Sequence, residues 1–271
     1  MSILFILILI LLIMNPSISA NQVINSLSLW ITSLLPTLYP SLICIDIIST
    51  SRLAVKTSNL LHPIIKKIFN TNSPYSTFII IMSYICGCPA STKLILNAKT
   101  NNQISEQEAN NLIYCFSNLS LPFTILVINN YKLILLYYLF SIVISSIIMH
   151  IINKKTDHFL SHNYSKQRFT TIFITSIKKN IELMFNILGI IMFFKIVVSL
   201  LLPNDFIGYS YIEILGGLAN TNNLFIKLSS LGFLSISIHL QILAVYPVKY
   251  YKLLFFRFIF FLLGLLFLLN I

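Results

Sequence analysis

The sequence predicts an all-helical, multi-pass membrane protein, and three observations carry that expectation. Of 271 residues, 57% are hydrophobic and only 9% are charged, against about 25% charged in soluble domains, so no soluble fold hides this much apolar surface. The apolar residues fall in stretches near the roughly 20 residues that a helix needs to cross a bilayer core. The basic residues gather in the polar gaps between those stretches, the pattern of cytoplasmic loops.

The elements follow in order. Residues 2–14 are apolar but short, so a span there must continue past Asn15-Pro16 toward Ile18. A cleaved signal peptide is the other reading of residues 1–20, although its leading region lacks Lys or Arg. Residues 23–50 form a span bent by Pro36 and Pro40. The gap 51–74 holds Arg52, Lys56, Lys66 and Lys67. The apolar element 75–96 is broken at Gly87-Cys88-Pro89, and a polar turn, 97–103, follows it. Ser105-Glu106-Gln107-Glu108 starts a helix, with Ser as cap and acids at the positive end of the dipole. That helix runs to about residue 128 and is interrupted at 117–122, and 131–152 is an ordinary span. Residues 153–179 read as a basic cytoplasmic linker.

The second half repeats this plan. A span covers 180–202 and ends at Pro203-Asn204-Asp205. A mixed stretch, 211–227, contains Gly216-Gly217 and Asn220-Thr221-Asn222-Asn223. A second broken apolar element, 228–246, opens at Gly232, and 253–271 is the last span. Placing 51–74 and 153–179 inside requires an even number of crossings between them. That holds if 75–96 dips in and returns while 105–128 and 131–152 cross. Lys249 and Lys252 then fall outside, a mild breach of the charge rule. The chain reads as one integral membrane domain, 1–271. Residues 23–152 and 180–271 form inverted repeats, each with a re-entrant or broken helical hairpin.

The breaks carry the chemistry. Lipid offers no partner for a freed backbone N–H or an ammonium, so a broken segment holding Lys93 must face protein or water. Gly87 permits an unusual turn, and a helix starting at Pro89 aims free N–H groups at the break. With Ser91, Thr92 and Lys93 the set suits a carboxylate or phosphate. The alternative is a proline-kinked helix whose Lys93 snorkels to the surface. Asn118, Ser120 and Pro122 make another break, either a ligand site or a kink repaired by its own polar side chains. Ser235, Ser237, His239 and Gln241 put polar groups on nearly opposite helix faces, so their segment must be enclosed. His239 is a proton carrier, an anion ligand or a structural histidine. Asp46 and Glu182 are candidates for ion or proton coupling, or interfacial residues. Lys227 and Arg257 read as interfacial.

Other classes are excluded. The net charge of +11 sits in loops between spans, which argues against nucleic acid. Cys44, Cys86, Cys88 and Cys115 lie in apolar segments without nearby histidine and read as packing residues. No catalytic motif appears, and no metal or cofactor is expected.

At these breaks the chain resembles the sporulation integral membrane protein YlbJ (SpoVV) family, related to nucleoside-recognition gate-domain proteins. Gly87-Cys88-Pro89-Ala90-Ser91-Thr92-Lys93 resembles that family's G-x-P-x-G-A-K stretch, and Ile104-Ser105-Glu106-Gln107-Glu108-Ala109 its I-S-x-x-E-A helix start. Asn118-Leu119-Ser120-Leu121-Pro122 is similar to its N-x-S-x-P break. The run from Leu231 to Gln241 resembles its G-F-G-G-L-S-x-H-x-Q stretch. Ser91 and Thr92 replace the usual Gly-Ala, and Leu121 and Leu234 stand where glycine is usual. The resemblance implies the organisation of concentrative nucleoside transporters and movement of dipicolinic acid across the outer forespore membrane. A helix N-terminus beside Lys93 would then meet one dipicolinate carboxylate and His239 the other.

The expectation is therefore an alternating-access transporter of a small organic anion, dipicolinic acid foremost. Its substrate site would comprise Gly87, Pro89, Ser91, Lys93, Asn118, Ser120, Asn222, Ser235, Ser237, His239 and Gln241. Two rival expectations are a non-transporting sporulation scaffold and a transporter of nucleosides or other small solutes. The expected partners are the solute and the lipid bilayer, with a homo-oligomer left open.

Overall fold

The computed structural model describes residues 2–128, 130–153, 168–202, 208–214, 217 and 223–268, and these are helical with no strand among them. Four helices are long and apolar enough to cross a membrane: Pro16–Ser49, Tyr131–Ile152, Phe169–Leu201 and Phe225–Val245. The protein is thus a helical membrane protein.

Helix α1 (Ser2–Met14) ends before Asn15, and α2 (Pro16–Leu29) starts at Pro16, a residue suited to the first turn. The expected span through Asn15-Pro16 therefore divides there. The first long crossing begins at residue 16 rather than 23. It continues through a wide π turn at Trp30–Leu34 into α3 (Leu35–Ser49). Pro36 lies just after that turn and has no N–H for the helical ladder, which accounts for the local widening.

The gap 51–74 is not a loop. Ser51 caps α4 (Arg52–Phe69) by accepting from Leu53 N–H, and Asn70 ends it in the left-handed conformation. Helix α5 (Pro74–Cys86) and helix α6 (Ala90–Thr100) flank the break at 87–89, and the outer ends of this pair are tied by a Ser73 Oγ–Gln103 O hydrogen bond of 2.7 Å. Ser105 caps α7 (Glu106–Phe116), as its sequence suggests. The Glu108 carboxylate then reaches back to accept from Asn72 N–H, Ser73 N–H and Ser76 Oγ, closing the N-terminus of α5. After the irregular stretch 117–120 come α8 (Leu121–Ile128) and α9 (Tyr131–Ile152).

Helix α10 (Phe169–Leu201) begins 11 residues before the span expected at 180. The short α11 (Tyr209–Ile212) follows. Helices α12 (Leu224–Phe233) and α13 (Ile236–Val245) make the second broken element, and α14 (Tyr250–Leu268) ends the described chain. The second break turns at Leu234, whose φ is +57°, not at Gly232. Unlike α5–α6, this pair runs on as one crossing antiparallel to α14. His239 meets the Tyr250 ring at one end, and Gly232 lies against the Phe260 backbone at the other.

Contacts between loop ends settle which ends share a face. Asn70 donates to Asn153 O at 3.1 Å, and Asn153 donates to Asn70 O at 2.6 Å. Tyr75 OH donates to Ser49 O at 3.3 Å. The ends of α3, α4 and α9 therefore lie on one side. Lys249 and Lys252 share a surface groove with Glu106, Gln107 and Ile152, and Lys99 lies 5.0 Å from the Tyr246 ring. Both lysines thus stand on the same side as the gap 51–74, contrary to the expectation. The breach of the charge rule disappears, because 224–245 makes one full crossing.

Gly87 holds the packing together at the first break. Its φ is +64°, and a Cβ there would lie 2.2 Å from Ser120 N and 2.5 Å from the Leu119 carbonyl carbon. Gly189, by contrast, has open space around it. Gly87→Ala is expected to cost at least ~3 kcal/mol, while Gly189→Ala leaves stability unchanged or slightly raised. Thermal unfolding of the detergent-solubilised protein measures both.

Candidate functional site

Two irregular segments supply each other's missing backbone partners. Pro122 has no N–H, so Asn118 O loses its helical donor. Cys88 N–H takes that carbonyl at 2.7 Å. Tyr138 OH donates to Leu119 O at 3.3 Å, and Ser145 Oγ to Cys115 O at 3.0 Å. The second break is closed likewise. Tyr137 OH donates to Leu231 O at 3.2 Å, and His239 Nε2 lies 2.9 Å from Phe233 O. A carbonyl only accepts, so Nε2 carries the ring hydrogen.

Beside these closed breaks lies a small, partly open cavity of about 40 Å³. Cys88 from the first break, Ser120 from the irregular stretch 117–120, and Ser237 and Gln241 from α13 line it. Thr37 and Leu38 of α3, and Ile187 and Ile191 of α10, complete its apolar wall. Glu213, fully buried just after α11, is the charged side chain of the lining. The expected convergence of residues near 88 with residues near 237 is present. Ser120, Ser237 and Gln241, named from the sequence as candidate ligands, line the cavity.

The remaining expected residues take other places. Lys93 does not face the cavity. Its Nζ lies 2.5 Å from Asp46 Oδ2 and 2.6 Å from Asn180 Oδ1. Ser176 Oγ donates to the same Asp46 oxygen at 2.5 Å, and Asn180 Nδ2 at 3.0 Å. The lysine is thus neither a free anion receptor nor a snorkelling group. It locks α6 to α3 and α10, because an ammonium away from water needs a counter-charge. Asp46 is that counter-charge, and Glu182 lies exposed on α10 away from it. Gly87 and Pro89 shape the turn around Cys88. Ser91 is buried in the first turn of α6 and lies outside the lining. Asn118 acts through its carbonyl, and Ser235 caps α13 while its hydroxyl pairs with Ser237 Oγ at 3.0 Å. His239 is fully buried and outside the lining, so its observed part is to close the second break. Asn222 lies outside the described residues.

Arg257 corrects another expectation. It is not interfacial but 1% exposed in the bundle. Its Nη2 donates to Tyr114 O at 3.1 Å, near the carbonyl end of α7, and its guanidinium stacks 4.8 Å from the Phe260 ring. A cation at a helix C-terminus meets the negative end of the dipole, which compensates its burial. Sequence reading missed Glu213 and Thr37. Glu213 had a usable signal, a lone acid between isoleucines ahead of Gly216-Gly217. Thr37 had none, being one hydroxyl among many in an apolar helix.

No family model matches the chain, and no curated protein and no solved structure matches it.

Removing one partner of the Asp46–Lys93 pair leaves an uncompensated charge among packed helices. Asp46→Asn and Lys93→Met are each expected to destabilise the protein by roughly 2–4 kcal/mol, with the double variant losing clearly less than their sum. A double-mutant cycle on detergent-solubilised unfolding midpoints reads this coupling.

Proposed function

We propose that the protein is a membrane transporter that carries a small polar solute by alternating access. The observation that supports this reading best is the shared cavity, where Cys88, Ser120, Glu213, Ser237 and Gln241 meet from distant parts of the chain. A site at the meeting point of broken helices is where transporters bind their solutes.

The order of elements supports it further. Each half supplies a long crossing (α2–α3, then α10), and in the first half α5–α6 reaches inward without crossing. Each then supplies a crossing broken midway (α7–α8, then α12–α13) and a last crossing (α9, then α14). The two series run in opposite directions, as in inverted repeats. Here α5–α6 is the re-entrant hairpin of the first half, while residues 225–245 are long enough to cross. At 1.5 Å per residue, α5 reaches about 20 Å inward, past the middle of a roughly 30 Å core.

The solute follows from the wall. Hydroxyls, one amide and one carboxylic side chain suit a solute rich in hydrogen-bonding groups. Lys93 is engaged by Asp46, and Glu213 stands in the lining. The engagement of Lys93 favours a neutral, nucleoside-like solute over a dicarboxylate. Dipicolinate stays a candidate through the family resemblance, which also implies sporulation and the outer forespore membrane of a bacterium. The scaffold reading predicts no solute binding at all.

Uptake by proteoliposomes of labelled uridine and dipicolinate tests these readings together. One of the two is expected to accumulate. Gln241→Ala is expected to lower that uptake about tenfold by removing a paired amide, without loss of inserted protein. No uptake and no solute-induced thermal shift with either compound would reject transport in favour of the scaffold. Dipicolinate content in spores of a deletion strain checks the sporulation role.

A further inference from the structure

Helix α4 has three faces rather than two. Ala54, Ser58 and Phe69 are buried against the bundle. Leu53, Leu60 and Ile64 are exposed at 62%, 75% and 59%, far beyond what a helix packed only on protein and water explains. At 100° per residue they fall with Ile68 within about 80° of arc. The exposed Lys56, Lys66 and Lys67, with Arg52 and Asn59, occupy the adjoining arc of about 100°. The helix contains no acidic residue, and no carboxylate pairs with the three lysines among the described residues. Burial and Lys66 one turn on hold the His62 imidazole below its usual value, so it adds no charge at neutral pH.

The ends of α4 fix its orientation. Its start follows Ser49, where a crossing ends and where Tyr75 OH docks. Its end joins Asn153, where another crossing ends. Both ends therefore stand at one membrane face, although the helix is about 27 Å long. It cannot cross, so it lies in the plane of that face. An in-plane helix with an exposed apolar stripe beside a basic stripe suits the boundary of headgroups and acyl chains.

We propose that α4 is an interfacial helix that selects anionic phospholipids of the basic-loop leaflet. Leu53, Leu60 and Ile64 sit among acyl chains, and Lys56, Lys66 and Lys67 engage headgroup phosphates. The same face carries the exposed Lys178, Lys179, Lys249 and Lys252, so its charge suits a negative leaflet. This assignment stands apart from the solute site and does not depend on transport.

Native mass spectrometry of the full chain, titrated with phosphatidylglycerol or phosphatidylcholine, tests it. The first phosphatidylglycerol is expected to bind several-fold tighter than phosphatidylcholine. That preference should shrink with each of Lys56→Gln, Lys66→Gln and Lys67→Gln and reach parity with phosphatidylcholine in the triple variant, because each basic residue near an anionic surface adds to binding. Lys132→Gln, at the other end of α9, should leave it intact. If the variants do not fold, raising ionic strength on the unmodified protein must erode the preference. Equal binding of the two lipids, or a preference unmoved by the lysine changes and by salt, overturns the proposal. So does a dimer that Leu60→Ser dissociates, which would assign the apolar stripe to a second copy.

Discussion

The structure depends on backbone hydrogen bonds made across the membrane interior rather than along a helix. Each interruption in a spanning helix strands carbonyls and N–H groups where lipid cannot receive them. This chain places one interruption against another. Cys88 N–H occupies the Asn118 carbonyl that Pro122 leaves open. Gly87 makes the approach feasible, because any side chain there would collide with the Leu119–Ser120 backbone. The polar cavity follows from this interlock, since Cys88 and Ser120 become neighbours only through it.

The charges inside the bundle obey the same economy of partners. Lys93, Asp46, Asn180 and Ser176 form one cluster joining three helices. Arg257 takes a helix-end carbonyl and an aromatic face. Lys93 is not left to await a ligand, because an unpaired charge in this medium costs more than a solute of millimolar or micromolar affinity returns. The polar groups that do face the cavity are neutral hydroxyls and amides, with Glu213 beside them. The hydroxyls and the Gln241 amide tolerate the loss of a solute, since water can take over its hydrogen bonds.

Topology joins both themes. The broken crossing 224–245 runs through the membrane with its carbonyls closed by two side chains, His239 of its own segment and Tyr137 of α9. The first break is closed by the backbone of the 117–120 stretch instead, and its two flanking helices come back to the same side, where Ser73 and Gln103 meet. Once those directions are known, Lys56, Lys66, Lys67, Lys178, Lys179, Lys249 and Lys252 collect on one face.

The sequence by itself determined the membrane class, the positions of the breaks and the helix start at Ser105, because composition, proline, glycine and capping residues act locally. It also marked Ser120, Ser237 and Gln241, since polar side chains in apolar runs must be enclosed somewhere. It could not determine which partner each buried charge takes, since Asp46 and Lys93 are 47 residues apart in the chain. It could not separate a hairpin from a broken crossing, because both show the same apolar run around a breaker. Nor could it tell the basic gap 51–74 from a loop until the packing of Ala54, Ser58 and Phe69 fixed one face of α4. Those outcomes rest on long-range contacts, and only the tertiary structure decides them.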